Sequence, residues 1–436
     1  MKVCKFGGTS MATAKSIRQV EKIIRSDPER KYVVVSAPGK RFKGDIKVTD
    51  LLYQADAEKA HYGCAGPAIE EIRDRFVTLV AELGLDMDMD RYIDEVEAGI
   101  NASSGSDYAA SRGEYLSAIV LSELLGFDFV DAADIIKFKH DGSFDADNTN
   151  DLVQELKKNT KGIVIPGFYG SMPDGSIKTF SRGGSDVSGA IIARGVGAAI
   201  YENWTDVNGF MVTDPNVVQN PKQMEVLSYE ELRELSYMGA SVLHPDSIFP
   251  VREDGIPINI RNTFEPENKG TMILPDISGY PKSSIVTGIA GRKGNTTISL
   301  KKAMMNSELG FGRKVLSVLE RHGISFEHMP TGIDTMSIVI TEKVLNGVES
   351  QVIEDIKGKV NPDSIEVIHN LALIAVVGHG MANQMGTAAR IFVALYQAGV
   401  NIRMIDQGSS EMNIIIGVEE KDYEKAIKAI YSAFFE

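Results

Sequence analysis

The sequence predicts an α/β protein with a mostly parallel sheet, followed by a duplicated small α+β module. Two observations predict this arrangement. Over roughly the first 280 residues, short apolar runs alternate with helical periods, which is the pattern of a sheet covered by helices on both faces. The remaining part repeats itself with a spacing of 76 residues. The 436 residues are enough for two or three domains of ordinary size.

The first part contains short apolar runs that we interpret as strands. They are residues 3–6, 32–35, 127–130, 162–165, 198–201 and 257–260. A helix is expected from about residue 11 to residue 26, and others through the fifties, seventies and nineties. Residues 275–284 include two prolines, a glycine and three serines, which predicts a linker. The first domain is therefore expected to span residues 1–280.

The repeat aligns residues 315–326 with residues 391–402. Each copy is predicted to contain a strand, a glycine-bearing loop, a helix ended by Gly323 or Gly399, two strands and a final helix. The order βαββαβ is that of the ferredoxin-like sandwich. The duplicated region is expected to span residues 285–436, with the first module at about 295–366 and the second at about 285–293 together with 371–436.

Composition and charge exclude several classes of protein. The net charge of −14, without a long basic run, argues against a nucleic-acid partner. The longest uncharged stretch, residues 371–389, is interrupted by glycine and amide residues, so no membrane span is expected. The N-terminus has no signal-type apolar region, and two cysteines without a CxxC pair predict neither a disulfide framework nor a metal site. A cytoplasmic protein is expected.

Two loops combine a pair of glycines, a cation and the start of a predicted helix. They are Lys5–Ser10 and Ser181–Asp186. Glycines let the backbone approach an anion closely, and a helix N-terminus and a cation add positive charge. Taken alone, each loop also fits a capped strand-to-helix turn. Two such loops at one sheet edge favour phosphoryl transfer, although the Walker A pattern is absent.

The sequence resembles the aspartate kinases. The motifs of that family occur here in order and spacing, at residues 5–10 (KFGGTS), 112–114 (RGE), 182–186 (RGGSD), 204–207 (WTDV) and 243–245 (LHP). The duplicated modules are similar to the paired ACT domains of the same enzymes. The resemblance covers essentially the whole chain and implies the amino-acid kinase fold. It implies transfer of the ATP γ-phosphoryl group to the β-carboxylate of L-aspartate, the entry step to lysine, threonine and methionine synthesis, with Mg²⁺ held mainly by the phosphates.

The resemblance also implies roles for particular residues. Lys5 would neutralise charge on the transferred group, and Asp186 would hold Lys5 in place. The implied phosphate and nucleotide contacts are Lys5, Phe6, Gly7, Gly8, Thr9, Thr205, Asp206, Met211, Asp214, Asn216 and Ser241. The implied substrate contacts are Ser36, Thr49, Glu114 for the ammonium group, Arg182 for the α-carboxylate, and Ser185. Because a carboxylate nucleophile is already ionised, positioning and charge neutralisation suffice without a strong general base.

Three of the nucleotide positions depart from the commonest pattern of the family. A tyrosine is common where this chain has Met211, an arginine where it has Asn216, and a cation where it has Ser241. The reaction is not put in question by these changes. We expect Lys5 to carry more of the phosphate charge as a result.

The first module carries the effector pocket that the resemblance implies. Its residues are Met304, Ser307, Gly310, Phe311, Ser325, Phe326 and Glu327. Glu327 would bind the amine of a lysine effector, and the resemblance leaves the identity of the effector open between lysine, threonine and the two together. ACT modules usually pair across subunits, so a homodimer or homotetramer is expected. The sequence ends after the second module, so no fused homoserine dehydrogenase domain is expected.

Two alternatives to an aspartate kinase stay open. The first is another carboxylate kinase of the same fold, such as a glutamate kinase. The second is a non-catalytic amino-acid sensor, in which the modules bind a ligand and the kinase domain is inactive. The presence of Lys5, Arg182 and Asp186 favours an active enzyme.

Overall fold

The structure, a computed structural model, describes residues 1–103, 105–181, 183–240, 243, 245–280 and 284–436. These residues form two compact units. The first unit comprises Met1–Phe210, Glu225–Tyr229 and Ser241–Gly279. The second unit comprises Met211–Met224, Glu230–Ala240 and Tyr280–Glu436.

The first unit is built on a mixed set of strands and helices. Its strands are β1 (Lys2–Phe6), β2 (Arg30–Val35), β3 (Asp128–Phe129), β4 (Ile163–Pro166), β5 (Tyr169–Ser171), β6 (Ile177–Thr179), β7 (Ile200–Thr205), β8 (Val226–Ser228), β9 (Ile258–Asn262) and β10 (Thr271–Leu274). Its helices are α1 (Ala14–Arg25), α2 (Val48–Tyr62), α3 (Pro67–Leu83), α4 (Met89–Ala102), α5 (Ser106–Leu125), α6 (Ala132–Ile135), α7 (Ala146–Glu155) and α8 (Gly184–Val196). Helix α9 (Tyr229–Tyr237) starts in this unit and continues in the second, and α10 (Phe249–Glu253) belongs to the first.

Eight of these strands form one sheet in the order β3-β4-β2-β1-β7-β9-β10-β8. Strand β1 lies near its centre and pairs in parallel with β2 and β7, whereas β9 and β10 are antiparallel. The remaining strands, β5 and β6, form a separate antiparallel pair. The predicted mostly parallel sheet is confirmed. The run expected at 198–201 begins and ends later, as Ile200–Thr205, because its pairing continues through Thr205 to Asn262.

Burial explains why these apolar runs become strands and helices. Strand β1 is apolar except for its lysines, and its Phe6 ring stacks on Trp204 of β7 with the ring centroids 5.9 Å apart. Helix α5 is buried over most of its length and packs against α2 and β4, so its sequence is apolar nearly all round. Helix α8 approaches β7 closely at Gly189, where a Cβ atom would lie 2.4 Å from Tyr201 Oη.

The second unit contains the duplicated region. Its strands are β11 (Gly288–Lys301), β12 (Thr335–Thr341), β13 (Ser364–Val377), β14 (Ile402–Asp406) and β15 (Asn413–Glu419). Its further helices are α11 (Phe311–Arg321), α12 (Glu342–Leu345), α13 (Glu349–Val360), α14 (Thr387–Gln397) and α15 (Tyr423–Phe435). The strands form one antiparallel sheet in the order β12-β11-β13-β15-β14.

The observed elements follow the 76-residue repeat. Strand β13 starts 76 residues after β11, and α14 starts 76 residues after α11. Gly323 and Gly399 follow the two helices with φ of +65° and +61°, the left-handed conformation in which helices commonly end. Where two full strands were expected, the first copy has β12 and two isolated bridges to it, from His328 to Val339 and from Thr331 to Met336. The strand expected from Ile285 begins at Gly288.

Two segments that precede the predicted linker pack within the second unit. In residues 211–224, the Val212 carbonyl accepts the backbone N–H of Ile289 at 2.7 Å. In helix α9, the Glu231 carboxylate accepts the Thr287 hydroxyl at 2.6 Å and the backbone N–H of His379 at 2.8 Å. Of the predicted linker, residues 275–280 and 284 lie in neither helix nor strand, and residues 281–283 lie outside the described residues.

Candidate active site

The carboxyl ends of four parallel strands meet at one edge of the large sheet. The last residue of β1, Phe6, lies opposite Val35 of β2 and Trp204 of β7, and Val35 lies opposite Pro166 of β4. The loops after these strands therefore collect at the same edge, where ligands bind in open α/β sheets. They include the Lys5–Ser10 loop after β1, in which the sequence predicted a phosphate site, and the segments after β2 and β7 that begin with Ser36 and Asp206.

Lys5 and Asp186 form a mostly buried ion pair at this edge. Lys5 Nζ lies 2.6 Å from Asp186 Oδ1, and the two side chains are 10% and 17% exposed. Asp186 stands in the first turn of α8, and its Oδ1 also accepts Asn203 Nδ2 at 2.8 Å. Tyr201 Oη donates to the Asp186 backbone carbonyl at 3.1 Å. Asp186 is thus fixed from two sides and can hold the lysine ammonium in one place.

The glycine loop after β1 is pressed against the loop after β2. The Gly8 carbonyl accepts the Gly39 N–H at 2.8 Å. A Cβ on Gly8 would lie 3.0 Å from the Ala37 carbonyl oxygen, and one on Gly39 would lie 2.9 Å from the Gly8 carbonyl carbon. Only glycine allows this approach of two backbones. Next in the loop, Thr9 Oγ1 donates to Asp206 Oδ2 at 3.0 Å.

Glu114 is a buried acid that forms no ion pair with the described residues. Helix α5 packs tightly on the loop after β2, because a Cβ on Gly113 would lie 2.6 Å from Ala37 Cβ. The Glu114 side chain behind it is 5% exposed, and its Oε2 has no hydrogen-bond partner among the described residues. Burial raises the pKa of Glu114 to about 8, although the Ala37 N–H and the charges of Arg112 and Lys5 oppose the rise.

Arg112, two residues before Glu114, lies within an aromatic cage. Its guanidinium carbon is 4.6 Å from the ring centroid of Tyr108, 4.7 Å from that of Tyr115 and 5.0 Å from that of Tyr169. Such contacts stabilise a cation that is removed from water. The cage therefore keeps a positive charge buried on the helix that carries Glu114.

The remaining predicted substrate residues lie around the same loops. The Ser36 N–H donates to the Phe6 carbonyl at 3.0 Å, which places Ser36 directly beyond the sheet edge. Thr49 is in the first turn of α2, whose first N–H, on Val48, donates to the Pro38 carbonyl at 3.2 Å. Ser185 is buried in the first turn of α8. Arg182 lies outside the described residues.

The predicted nucleotide residues divide between the two units. Thr205 and Asp206 follow β7 in the first unit, and Thr205 Oγ1 donates to Asp206 Oδ1 at 3.3 Å. Met211, Asp214 and Asn216 belong to the second unit, where Asn216 donates to Asp214 Oδ1 through its backbone N–H at 2.8 Å and its Nδ2 at 2.9 Å. Ser241 lies outside the described residues.

The predicted effector residues lie in the loop before α11, at the start of α11 and in the segment after it. Met304 and Gly310 both have left-handed backbones, with φ of +59° and +74°. Phe311 is buried, whereas Ser325 and Phe326 are exposed. Ser307 is in a short 3₁₀ turn and donates to Asn306 Oδ1 at 3.4 Å.

Glu327, the acid expected to bind an effector amine, is already engaged. It forms an ion pair with Arg292, accepts the Tyr237 hydroxyl, and accepts Thr341 Oγ1 at 2.9 Å. Burial would raise the pKa of Glu327, but these hydrogen bonds and the Arg292 charge outweigh burial and lower the pKa. A ligand amine at this carboxylate would therefore compete with a cation of the chain itself.

Three contributors to the site were not among the predicted site residues. Asn203 fixes Asp186, and Gly39 and Gly113 permit the close packing around the glycine loop. A signal for Asn203 existed, since it is an amide in a buried strand two residues before Thr205. The need for Gly39 and Gly113 depends on contacts with distant segments, which the sequence does not display.

Two searches of the described residues bear on other ligands and partners. Within those residues, no three His, Cys, Asp or Glu side chains are grouped so that they could hold a metal ion. None of the helices in the described ranges is both long enough and apolar enough to cross a membrane.

Comparisons with known proteins agree with this architecture. The sequence pattern of the amino acid kinase family matches residues 1–262, and that of an ACT domain matches residues 374–434. The chain is 38% identical over 460 aligned residues to aspartokinase 3 of Bacillus subtilis, covering 100% of this chain and 99% of that protein.

Solved structures show the same likeness along the whole chain. The crystal structure of Clostridium acetobutylicum aspartate kinase, described as an allosteric enzyme, has a TM-score of 0.94 and 51% identity, with 100% of both chains covered. Escherichia coli aspartokinase III, in complex with lysine and aspartate in the T-state, has a TM-score of 0.75 and 25% identity, again with 100% of both chains covered. The chain therefore belongs to the aspartokinases, ATP-dependent enzymes of the amino acid kinase family that carry ACT domains.

Proposed function

We propose that this chain transfers the γ-phosphoryl group of ATP to the β-carboxylate of L-aspartate, giving 4-phospho-L-aspartate. The observation that carries the proposal is the Lys5–Asp186 pair beside the Gly7–Gly8 loop, with the uncompensated acid Glu114 in the same unit. This arrangement offers a fixed cation for a phosphoryl group and a buried carboxyl group whose ionised form can bind an amino group. A substrate with one carboxylate to phosphorylate and one ammonium to bind fits both.

Each residue acts by charge and position. Lys5 neutralises the charge that builds on the transferred phosphoryl oxygens, and Asp186 keeps its ammonium group in place. The backbone of Gly7, Gly8 and Thr9 cradles the same oxygens, as close backbone approach allows. Glu114 binds the substrate ammonium and Arg182 its α-carboxylate, while Ser36, Thr49 and Ser185 complete the pocket.

The nucleotide is expected to bring its own metal. Since the described residues contain no carboxylate cluster of metal-binding form, Mg²⁺ would be held mainly by the phosphates of ATP, where it neutralises their charge. Phe6, Thr205, Asp206, Met211, Asp214, Asn216 and Ser241 are the proposed contacts of the nucleotide.

The second part of the chain is proposed to regulate the first. We assign residues 1–280 to catalysis and residues 285–436 to two ACT modules, the first inserted within the second. An end-product amino acid, lysine or threonine or both, would bind the first module and inhibit the enzyme. Lysine is supported by the E. coli relative that was solved with lysine and aspartate. Inhibition requires that the effector bind one conformational state better than the other.

The proposal extends to the pathway, the assembly and the location of the enzyme. The product would enter lysine, threonine and methionine synthesis, and subunits would pair through the ACT modules into a homodimer or homotetramer. Cys4 and Cys64 are both free thiols, which suits the proposed cytoplasmic location.

An ADP-release assay on the full chain tests the proposal. L-Aspartate, L-glutamate and no amino acid are compared with MgATP, each with and without lysine and threonine. We expect ADP release that depends on aspartate and that one or both effectors reduce. Equal release with glutamate would indicate a different carboxylate kinase, and no release with any acceptor would indicate a non-catalytic sensor.

A further inference from the structure

Arg75 is a buried arginine of helix α3 with no role in the proposed chemistry. Its side chain is 4% exposed. We propose that Arg75 is a positioning residue for the substrate side of the active site, acting by tying together the two ends of residues 39–46. The inference rests on the proposed function, because it takes Gly8, Ser36 and Thr49 as ligand contacts.

The guanidinium group joins two backbone carbonyls that are seven residues apart. Arg75 Nη1 donates to the Ile46 carbonyl at 2.7 Å, and Nη2 donates to the Gly39 carbonyl. Burial lowers the pKa of Arg75, opposed by the charge of Asp45, whose Oδ2 lies 3.6 Å from Nη2. Arg75 Nε has no hydrogen-bond partner in the part of the chain that is described. A buried cation is costly unless it is paired and hydrogen-bonded, so the two carbonyls and Asp45 are its main compensation.

The residues between these carbonyls form a closed loop. Asp45 Oδ2 accepts the backbone N–H of Arg41 at 2.8 Å and its Nε at 2.9 Å, and Asp45 Oδ1 accepts Arg41 Nη2 at 2.8 Å. The hydrogen bond from Arg41 holds the pKa of Asp45 well below its usual range. Asp45 therefore closes the loop from within, and Arg75 attaches the two ends of the loop to helix α3.

Both ends of the loop lead to proposed ligand contacts. At one end, the Gly39 N–H donates to the Gly8 carbonyl at 2.8 Å, three residues after Ser36. At the other end, Ile46 is three residues before Thr49, and the neighbouring Val48 N–H donates to the Pro38 carbonyl. If Gly39 and Ile46, the two ends of this loop, moved, Ser36 and Thr49 would move with them. Arg75 would therefore affect the substrate contacts without touching the substrate. Displacements of about 1 Å are enough to weaken substrate alignment strongly.

Helix α3 also supplies a matched control. Arg73 is two residues away and forms ion pairs with Asp90 at 3.0 Å and Asp94 at 2.8 Å. Those partners lie on helix α4, and none of them belongs to the proposed active site. Arg73→Met therefore removes an arginine with ion pairs from the same helix without disturbing residues 39–46.

The experiment compares Arg75→Met, Arg75→Lys and Arg73→Met in the full chain, with steady-state kinetics for both substrates and thermal unfolding. We expect Arg75→Met to raise KM for aspartate about 10-fold and KM for ATP by a smaller factor. Arg75→Lys, which can donate to one carbonyl but not bridge both, should show an intermediate rise. Arg73→Met should leave both KM values unchanged.

A purely structural arginine would give a different result. If Arg75→Met lowers the unfolding temperature and leaves KM for aspartate at the wild-type value, the inference is overturned. If Arg75→Met does not fold, a wild-type KM for aspartate in Arg75→Lys overturns it instead. Failure of the wild type to turn over aspartate would overturn the proposed function, and this inference with it.

Discussion

The acids of the two units are compensated in different ways. In the first unit, Glu114 is 5% exposed and one of its oxygens has no hydrogen-bond partner among the described residues. In the second unit, Glu327 is paired with Arg292, Tyr237 and Thr341, and Glu308 lies 2.6 Å from both Lys302 Nζ and Lys314 Nζ. The first unit thus contains a buried carboxyl group without an ion-pair partner among the described residues, and the second contains carboxylates that are already paired.

This difference indicates how each site would respond to a ligand. A substrate ammonium at Glu114 would supply an ion-pair partner that the described residues do not provide, so binding and ionisation of Glu114 favour each other. An effector amine at Glu327 would have to displace or share existing partners. Such competition allows a ligand to change the contacts of the chain when it binds, as regulation requires.

The two copies of the repeat differ in the acids that could bind an amine. At the positions 76 residues after Glu308 and Glu327, the second copy has Gln384 and Arg403. Both copies contact helix α9. Glu327 of the first copy accepts the Tyr237 hydroxyl, and in the second copy Asn413 Nδ2 donates to Glu234 at 2.6 Å and the His379 backbone N–H donates to Glu231. At these two positions the first copy thus has acids suited to an amine, whereas the second copy has an amide and a cation.

Removal of the cation at the sheet edge is expected to have the largest effect. Lys5→Ala should lower kcat by about 10³-fold or more, because no other cation of the described first unit is placed on the Gly7–Gly8 loop by an observed contact. ADP release measures the loss. Lys2→Ala is the control, as Lys2 is on the same strand and pairs with Asp27 at 2.7 Å. Substantial residual kcat in Lys5→Ala would remove Lys5 from the catalytic role.

Loss of the carboxylate that holds Lys5 in place is expected to have the second largest effect on kcat. Asp186→Asn keeps the shape of the side chain but removes the charge that holds Lys5 Nζ at 2.6 Å. We expect kcat to fall about 10- to 100-fold, with a smaller change in KM for aspartate. Wild-type kcat in this variant would show that Lys5 is positioned without Asp186.

The uncompensated acid predicts a pH dependence. Since the pKa of Glu114 is raised to about 8, the carboxyl group is mostly protonated at pH 7 and ionises as the pH rises. An ammonium group binds the ionised form, so KM for aspartate should fall about 10-fold between pH 7 and pH 9. Glu114→Gln should have a high KM that is flat over this range. A wild-type KM that does not change with pH would contradict the contrast between the two acids.

The smallest effect is expected at Glu327, the acid that is already paired, and it concerns inhibition by an effector. Arg292→Met removes the cation that competes for Glu327, so an amine effector should inhibit at a concentration lower by about threefold. Inhibition curves with lysine measure the shift. Lys293→Met is the control, because Lys293 is on the same strand and pairs with Glu424 at 3.5 Å. Weaker inhibition in Arg292→Met would show that Arg292 helps to bind the effector.

The sequence was most informative where local pattern decides structure. Apolar runs predicted the large sheet, and glycine loops predicted that a site lies at one of its edges. Self-similarity predicted the repeat, in which β13 starts 76 residues after β11. It was least informative about contacts between distant segments. The packing of residues 211–224 and α9 in the second unit, the Asn203 contact to Asp186 and the Arg75 contacts each join residues far apart in the chain. Composition and periodicity do not encode such partners.

The site of phosphorylation on the substrate tests the central claim most directly. Wild-type enzyme is incubated with MgATP and L-aspartate in hydroxylamine, which traps acyl phosphates as hydroxamates, and the product is identified by mass spectrometry and NMR. If Lys5 faces the β-carboxylate while Glu114 and Arg182 bind the two α-substituents, only the β-hydroxamate forms, in amounts equal to the ADP released. An α-hydroxamate, or ADP release without any hydroxamate, would contradict this account of the site.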